Sequence, residues 1–198
     1  MNGAVHTIIG ISSGLIGSVL LYDKIPHMTD TALAPALFMV GTSLGAVAPD
    51  IDLHQKTNGL FTHRGFTHTL VVPMLSLALL FLPGVSELPI HTFIYGWVWG
   101  YLTHIFADMW QSAGVPIMWP LYGKHVHICS MPVKYDKIWV FFYILILLLI
   151  GHLFGGFKFL ERSINSSNSM PIFLAIIVSI FLIRRKIRIF HKRRKKRR

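Results

Sequence analysis

Seven side chains able to hold a metal or move a proton lie in four separated stretches: His6, Asp50 and Asp52 in APDIDLH, His63 and His68 in HRGFTH, and His104 and Asp108 in LTHIFADMW. Each spacing suits ligation. His104 and Asp108 are four apart, so on a helix they stack on one face. Pro49 disfavours helix continuation, and alternation in an extended stretch points Asp50 and Asp52 to the same side. Gly65 allows a turn that brings His63 toward His68. Imidazole with carboxylate suits zinc, iron or manganese. The single cysteine, Cys129, excludes both an internal disulfide framework and a multi-thiolate zinc site. The isolated His27, His54, His91 and His152 read as interfacial or capping residues.

The elements that must position these groups are membrane helices. Of 198 residues, 53% are hydrophobic and 14% charged, against roughly 25% charged in an ordinary soluble domain; mean hydropathy is +0.57. Six segments approach the roughly 17–25 apolar residues that a span requires: about 4–22, 31–48, 68–83, 90–110, 138–156 and 170–185. IWVFFYILILLLIGHLF, in the fifth, carries no charge, whereas the first three are short or rich in Gly and Ser. The expected fold is an all-α polytopic bundle of about six membrane-embedded helices over residues 1–185, followed by a basic tail at 186–198. MNGAVHTIIG has no basic residue ahead of its apolar stretch and reads as a retained first helix.

Much of the formal charge of +11 sits in the terminal run IRRKIRIFHKRRKKRR. After an apolar segment, such a run marks a cytoplasmic end and a contact with anionic lipid more than a nucleic-acid surface. Counting back through six spans places both termini and the loops 49–67 and 111–137 in the cytoplasm. His6, Asp50, Asp52, His63, His68, His104 and Asp108 then all reach the same membrane face. Asp108 stands out, because an acid late in a helix opposes the helix dipole and an acid at membrane depth is costly unless paired.

PDID (49–52), HRGFTH (63–68), GYLTHIFADMWQSAGVPIMWP (100–120) and the early His6 resemble the YdjM family, bacterial membrane-bound proteins described as metal-dependent hydrolases. The likeness covers about residues 1–135 and implies a bacterial inner-membrane location. It extends, more distantly, to zinc-dependent phospholipase C and related nucleases. Their ligand pattern maps onto His6, Asp50 or Asp52, His63 or His68, and His104 with Asp108. Those enzymes continue with further His and acidic ligands on a later helix. Here only His125 and His127 in KHVHICS stand in that region, and they read as an ordinary loop strand, so one or two ions are expected rather than three.

The resemblance and the membrane-face position together imply a hydrolase acting on a lipid phosphate or phospholipid. A metal-activated water would attack phosphorus, with zinc as the leading ion and manganese or iron as alternatives. Arg64 would stabilise developing charge, and whichever of Asp50 and Asp52 is not a ligand would act as general base or support a histidine. Lys124 and Lys134 would attract an anionic head group. The competing class is a non-enzymatic membrane protein with a structural or transport metal site. Transport favours groups near the bilayer midplane, whereas these gather at one end.

Overall fold

The computed structural model describes residues 3–21, 24–25, 33–54, 65–85 and 89–129, with positions 138, 140, 141, 143–146 and 149 of a further helical stretch. His63, Arg64, Lys134, the segment 170–185 and the tail 186–198 lie outside the described residues. The helices with bounds among the described residues are α1 (Gly3–Leu20), α2 (Leu33–Gly45), α3 (Val71–Ala78) and α4 (Ile90–Met109). Short 3-10 turns occupy Pro49–His54, Phe66–His68 and Leu79–Phe81. There is no β-strand among the described residues, only an isolated antiparallel bridge between Val115 and Val126.

Glycine determines how closely the helices approach. A Cβ at Gly41 or Gly45 on α2 would lie 2.3 Å from the Phe93 carbonyl oxygen or 2.1 Å from that of Trp97 on α4. Reciprocally, a Cβ at Gly96 or Gly100 would lie 2.1 Å from the Phe38 oxygen or 2.0 Å from the Thr42 oxygen. GTSLG (41–45) and GWVWG (96–100) are thus two small-xxx-small faces pressed backbone to backbone. The third, GISSG (10–14) on α1, meets Ala46 and Thr42. The pairings rise together between α2 and α4 and run opposite between α1 and α2. Hence α2 and α4 are parallel and α1 is antiparallel to both. The start of α1 therefore meets the ends of α2 and α4, near Asp50 and on the side of His104 and Asp108.

Polar side chains are as common as apolar ones in the buried set. Buried hydroxyls satisfy themselves on their own helix, as Thr42 Oγ1 does on the Phe38 carbonyl (2.9 Å) and Ser43 Oγ on that of Met39 (2.9 Å). Phe38, Ile9 and Ile105 fill the interior, while other large apolar side chains are exposed, among them Met74, Leu75 and Phe81 in and beside α3 and Leu102 and Phe106 on α4. Among the described residues, no helix is both long and apolar enough to cross a membrane.

Two local expectations are corrected. The stretch after Pro49 is a 3-10 turn rather than extended chain. The alternation that an extended stretch would give Asp50 and Asp52 therefore does not apply. The described part of the segment 68–83 is an eight-residue helix flanked by 3-10 turns. It closes where Leu82 turns extended and Gly84 takes a positive φ of 80°.

Candidate metal centre

Five donor side chains meet at the end of the bundle where α1 begins and α2 and α4 end. His6 comes from the first turns of α1, and Asp50 from the turn that follows α2. His104 and Asp108 lie on the last two turns of α4, and His68 comes from the 3-10 turn ahead of α3. Asp50 is 6% exposed; His6, His68, His104 and Asp108 are buried more completely.

Asp108 is the hub. Its Oδ1 lies 3.1 Å from His6 Nε2, and its Oδ2 lies 3.4 Å from His68 Nε2 and 3.8 Å from His104 Nε2. His104 Nε2 is also 3.3 Å from His68 Nε2 and 3.8 Å from Asp50 Oδ1. The His6 and His104 rings stack with centroids 3.9 Å apart. Two overlapping donor triads result, His6–His104–Asp108 and Asp50–His68–His104.

The backbone decides which nitrogen of His104 faces the cluster. Its Nδ1 lies 2.7 Å from the Ala46 carbonyl, 58 residues away. A carbonyl can only accept, so Nδ1 carries the proton and Nε2 presents a lone pair inward. With Nδ1 so engaged, His104 has one nitrogen left for a metal, and it is the residue the two triads share.

Donors on a tetrahedral ion with bonds of 2.0–2.2 Å lie about 3.3–3.6 Å apart, and the 3.1–3.8 Å separations of Asp108 from His6, His68 and His104 and of His68 from His104 bracket that edge. Neither nitrogen of His6 makes an aligned hydrogen bond among the described residues, although both are buried. Its Nε2 lies 3.1 Å from the Asp108 carboxylate. The Asp108 carboxylate also stands in the last turn of α4, where the helix dipole opposes it and a neighbouring cation offsets the cost. The chemistry of each triad fits a divalent metal ion.

Support residues surround this set, and three of them escape the sequence reading. Thr67 Oγ1 lies 3.1 Å from His68 Nδ1. The Tyr101 hydroxyl donates to the Thr67 carbonyl, tying α4 to the His68 turn. Ala46 fixes His104. Thr67 and Tyr101 sit beside or within one turn of a donor, which is a signal legible in sequence; Ala46 carries none. His125 and His127 are exposed and belong to neither triad, and His125 Nδ1 is 3.0 Å from the Ala113 carbonyl. His91 is buried near the start of α4 and is in neither triad. Asp52 follows Asp50 in the same turn, with its side chain outside the described set.

A family model described as YdjM inner membrane protein matches residues 1–188. The chain belongs to the YdjM family. It is 31% identical over 135 residues to the uncharacterized protein YfhP of Bacillus subtilis (strain 168), covering 64% of this chain and 39% of that protein. It is also 47% identical over 62 residues to the inner membrane protein YdjM of Escherichia coli (strain K12) and to that of Shigella flexneri, covering 30% of this chain and 31% of each. These matches therefore span well under half the length of the curated relatives. No solved structure matches.

Proposed function

We propose that this YdjM-family protein is a membrane-embedded metal-dependent hydrolase acting on a phosphoester, a lipid phosphate or phospholipid, at the cytoplasmic face of the bacterial inner membrane. The observation that carries the proposal is the convergence of three imidazoles and two carboxylates at one end of the bundle. The family's description, the outward Met74, Leu75, Phe81, Leu102 and Phe106, and the three glycine faces support the membrane setting. The bias of Lys and Arg toward the C-terminus supports the cytoplasmic side.

His6, His68, His104 and Asp108 would hold the ion, zinc first by donor chemistry, with iron or manganese next. A divalent ion held there supplies Lewis acidity, stabilising charge on a phosphoryl oxygen and acidifying water. Asp50, the least buried of the five and 3.8 Å from His104 Nε2, would accept a proton if it is not itself a ligand, a role that otherwise falls to Asp52. Ala46 and Thr67 orient the imidazoles. The role of Arg64 rests on the sequence alone: four residues before His68, it supplies positive charge for the phosphate.

The near-complete burial of four donors also suits a structural ion. One experiment separates the readings. Metal content is measured by mass spectrometry on purified wild type, His104→Ala and Asp108→Ala, each checked by circular dichroism, alongside phosphoester turnover before and after chelation. Bound metal lost in both variants, with turnover removed by chelator and restored by reloading, is the expected result. Bound metal without turnover assigns a structural site. Wild type that takes up no zinc, iron or manganese overturns both readings.

A further inference from the structure

The chain that follows α4 folds back on itself as a lobe with a fixed stem and an uncovered tip. Val115 and Val126 close the stem through two backbone hydrogen bonds, of 3.0 and 2.8 Å. Val115 is fully buried with Tyr101 and Ile105 of α4, and the Ile128 amide returns to the Met109 carbonyl at 2.7 Å. On the other side, the Leu70 amide donates to the Ile117 carbonyl at 3.1 Å, and the Trp119 ring meets Phe66 edge-on. The lobe is therefore seated between the end of α4, next to Asp108, and the turn that carries His68. Beyond this stem every residue of 120–125 is exposed. Leu121 is 91% and Tyr122 50% exposed, and Met118, whose carbonyl accepts from the Tyr122 amide, is exposed as well. A Cβ on Gly123 would meet nothing within 4 Å. The lobe also carries one sign of charge. No Asp or Glu occurs between Asp108 and Asp136, whereas Lys124 stands at the tip with its Nζ 5.9 Å from the Tyr122 ring centroid.

We propose that this tip, residues 118–124, is an interfacial anchor: Leu121 and Tyr122 enter the head-group layer of an anionic bilayer, and Lys124 pairs with its acidic head groups. Charge and shape choose this partner. A side chain as exposed as Leu121 on a protruding tip offers no concavity to a peptide, but it inserts into a phase that deforms around it. Tyrosine beside lysine is the composition of the membrane–water boundary, where the ring lies among head groups and the ammonium reaches the phosphates. The exposed apolar residues of α3 and α4 differ in kind, since helices of a membrane-embedded bundle face hydrocarbon along their length, whereas this tip belongs to a loop at the bundle's end. The cytoplasmic leaflet supplies the negative surface potential that attracts a lone basic sign. The anchor would hold the donor end of the bundle at head-group level. This inference rests on the membrane setting proposed above and is independent of hydrolysis.

The full chain carrying Cys129→Ser and Leu121→Cys is spin-labelled at the introduced thiol, checked by circular dichroism, and reconstituted into two kinds of vesicle. One is phosphatidylcholine alone, the other equal parts phosphatidylcholine and phosphatidylglycerol. Relaxation by oxygen, which concentrates in lipid, and by a water-soluble nickel chelate reads where the label lies. In the anionic vesicles the label is expected to be relaxed by oxygen and shielded from the chelate. In neutral vesicles, or with Lys124→Gln in anionic ones, the ratio of inserted to water-exposed tip should fall about fivefold, equivalent to the ~1 kcal/mol of one lysine near an anionic surface. A label open to the chelate in anionic vesicles overturns the proposal. So does a label shielded from both reagents, which would bury the tip in a contact between copies, and so does shielding unchanged by neutral lipid and by Lys124→Gln. Flotation separates the anchor from the setting on which it rests. Protein that floats with neither vesicle fails both, whereas floating protein with a chelate-accessible tip fails the anchor alone. A shielded, charge-sensitive tip in a protein that turns over no phosphoester supports the anchor while removing the hydrolase reading.

Discussion

Gly100→Ala tests whether glycine contacts between helices hold the donors in register. The new Cβ would stand 2.0 Å from the Thr42 carbonyl oxygen and 2.9 Å from the Ala46 nitrogen. Both are backbone atoms of α2 and its C-terminal turn, so no rotamer change can relieve the contact. A tolerable carbon–oxygen approach is about 3.3 Å, so α2 and α4 must separate by more than about 1 Å. The His104 Nδ1–Ala46 bond, now 2.7 Å, would stretch to nearly ~4 Å, beyond hydrogen-bonding reach. Overpacking costs about 1–3 kcal/mol, and leaving a buried partner unsatisfied costs about 1–3 kcal/mol more. At roughly 2–4 °C per kcal/mol for a chain of this size, the melting temperature should fall by at least about 4 °C. Loss of the partner that orients His104 should weaken metal binding about 10–100-fold. Thermal unfolding in detergent and chelator-competition titration read the two effects, with Gly123→Ala, where a Cβ meets nothing within 4 Å, as the neutral control. A Gly100→Ala protein with wild-type melting and metal affinity would refute the coupling of helix approach to ligand geometry.

Two further outcomes are expected. Thr67→Ala removes the partner of His68 Nδ1 and should lower metal affinity about tenfold while leaving the helical content intact; Thr67→Ser should restore it, and failure of the serine variant to do so would show that the hydroxyl is not what orients the ring. His125→Ala and His127→Ala should leave metal content unchanged, because both side chains are exposed and outside the donor triads. A stoichiometric loss in either variant would place a ligand in the loop after α4.

The donor types and the helical pairing of His104 with Asp108 are legible in the sequence because a spacing of four is a local property of one helix. The placement of His6, Asp50 and His68 at the same end follows from alternating helix senses, which the apolar segments and their breaks already suggest. Less was readable after Pro49, where a proline permits either an extended chain or a tight turn, and the turn prevailed. The glycine faces were present as GISSG, GTSLG and GWVWG. Read as composition, Gly and Ser in the first two helices weaken them as spans; read as spacing, they are the surfaces on which α1, α2 and α4 pack.

By itself, then, the sequence determined a helical protein, the chemical character of its candidate ligands, and which of them share a helix face, since these depend on residue type and on the period of the backbone. Tertiary structure decided that His6, His68 and His104 each bring Nε2 to within 3.1–3.8 Å of an Asp108 carboxylate oxygen. It also decided that His104 turns its lone pair inward, because the Ala46 carbonyl that sets its tautomer is brought there only when α2 and α4 pack at glycine distance. Such a contact depends on the approach of two backbones distant in the chain, which no local spacing encodes.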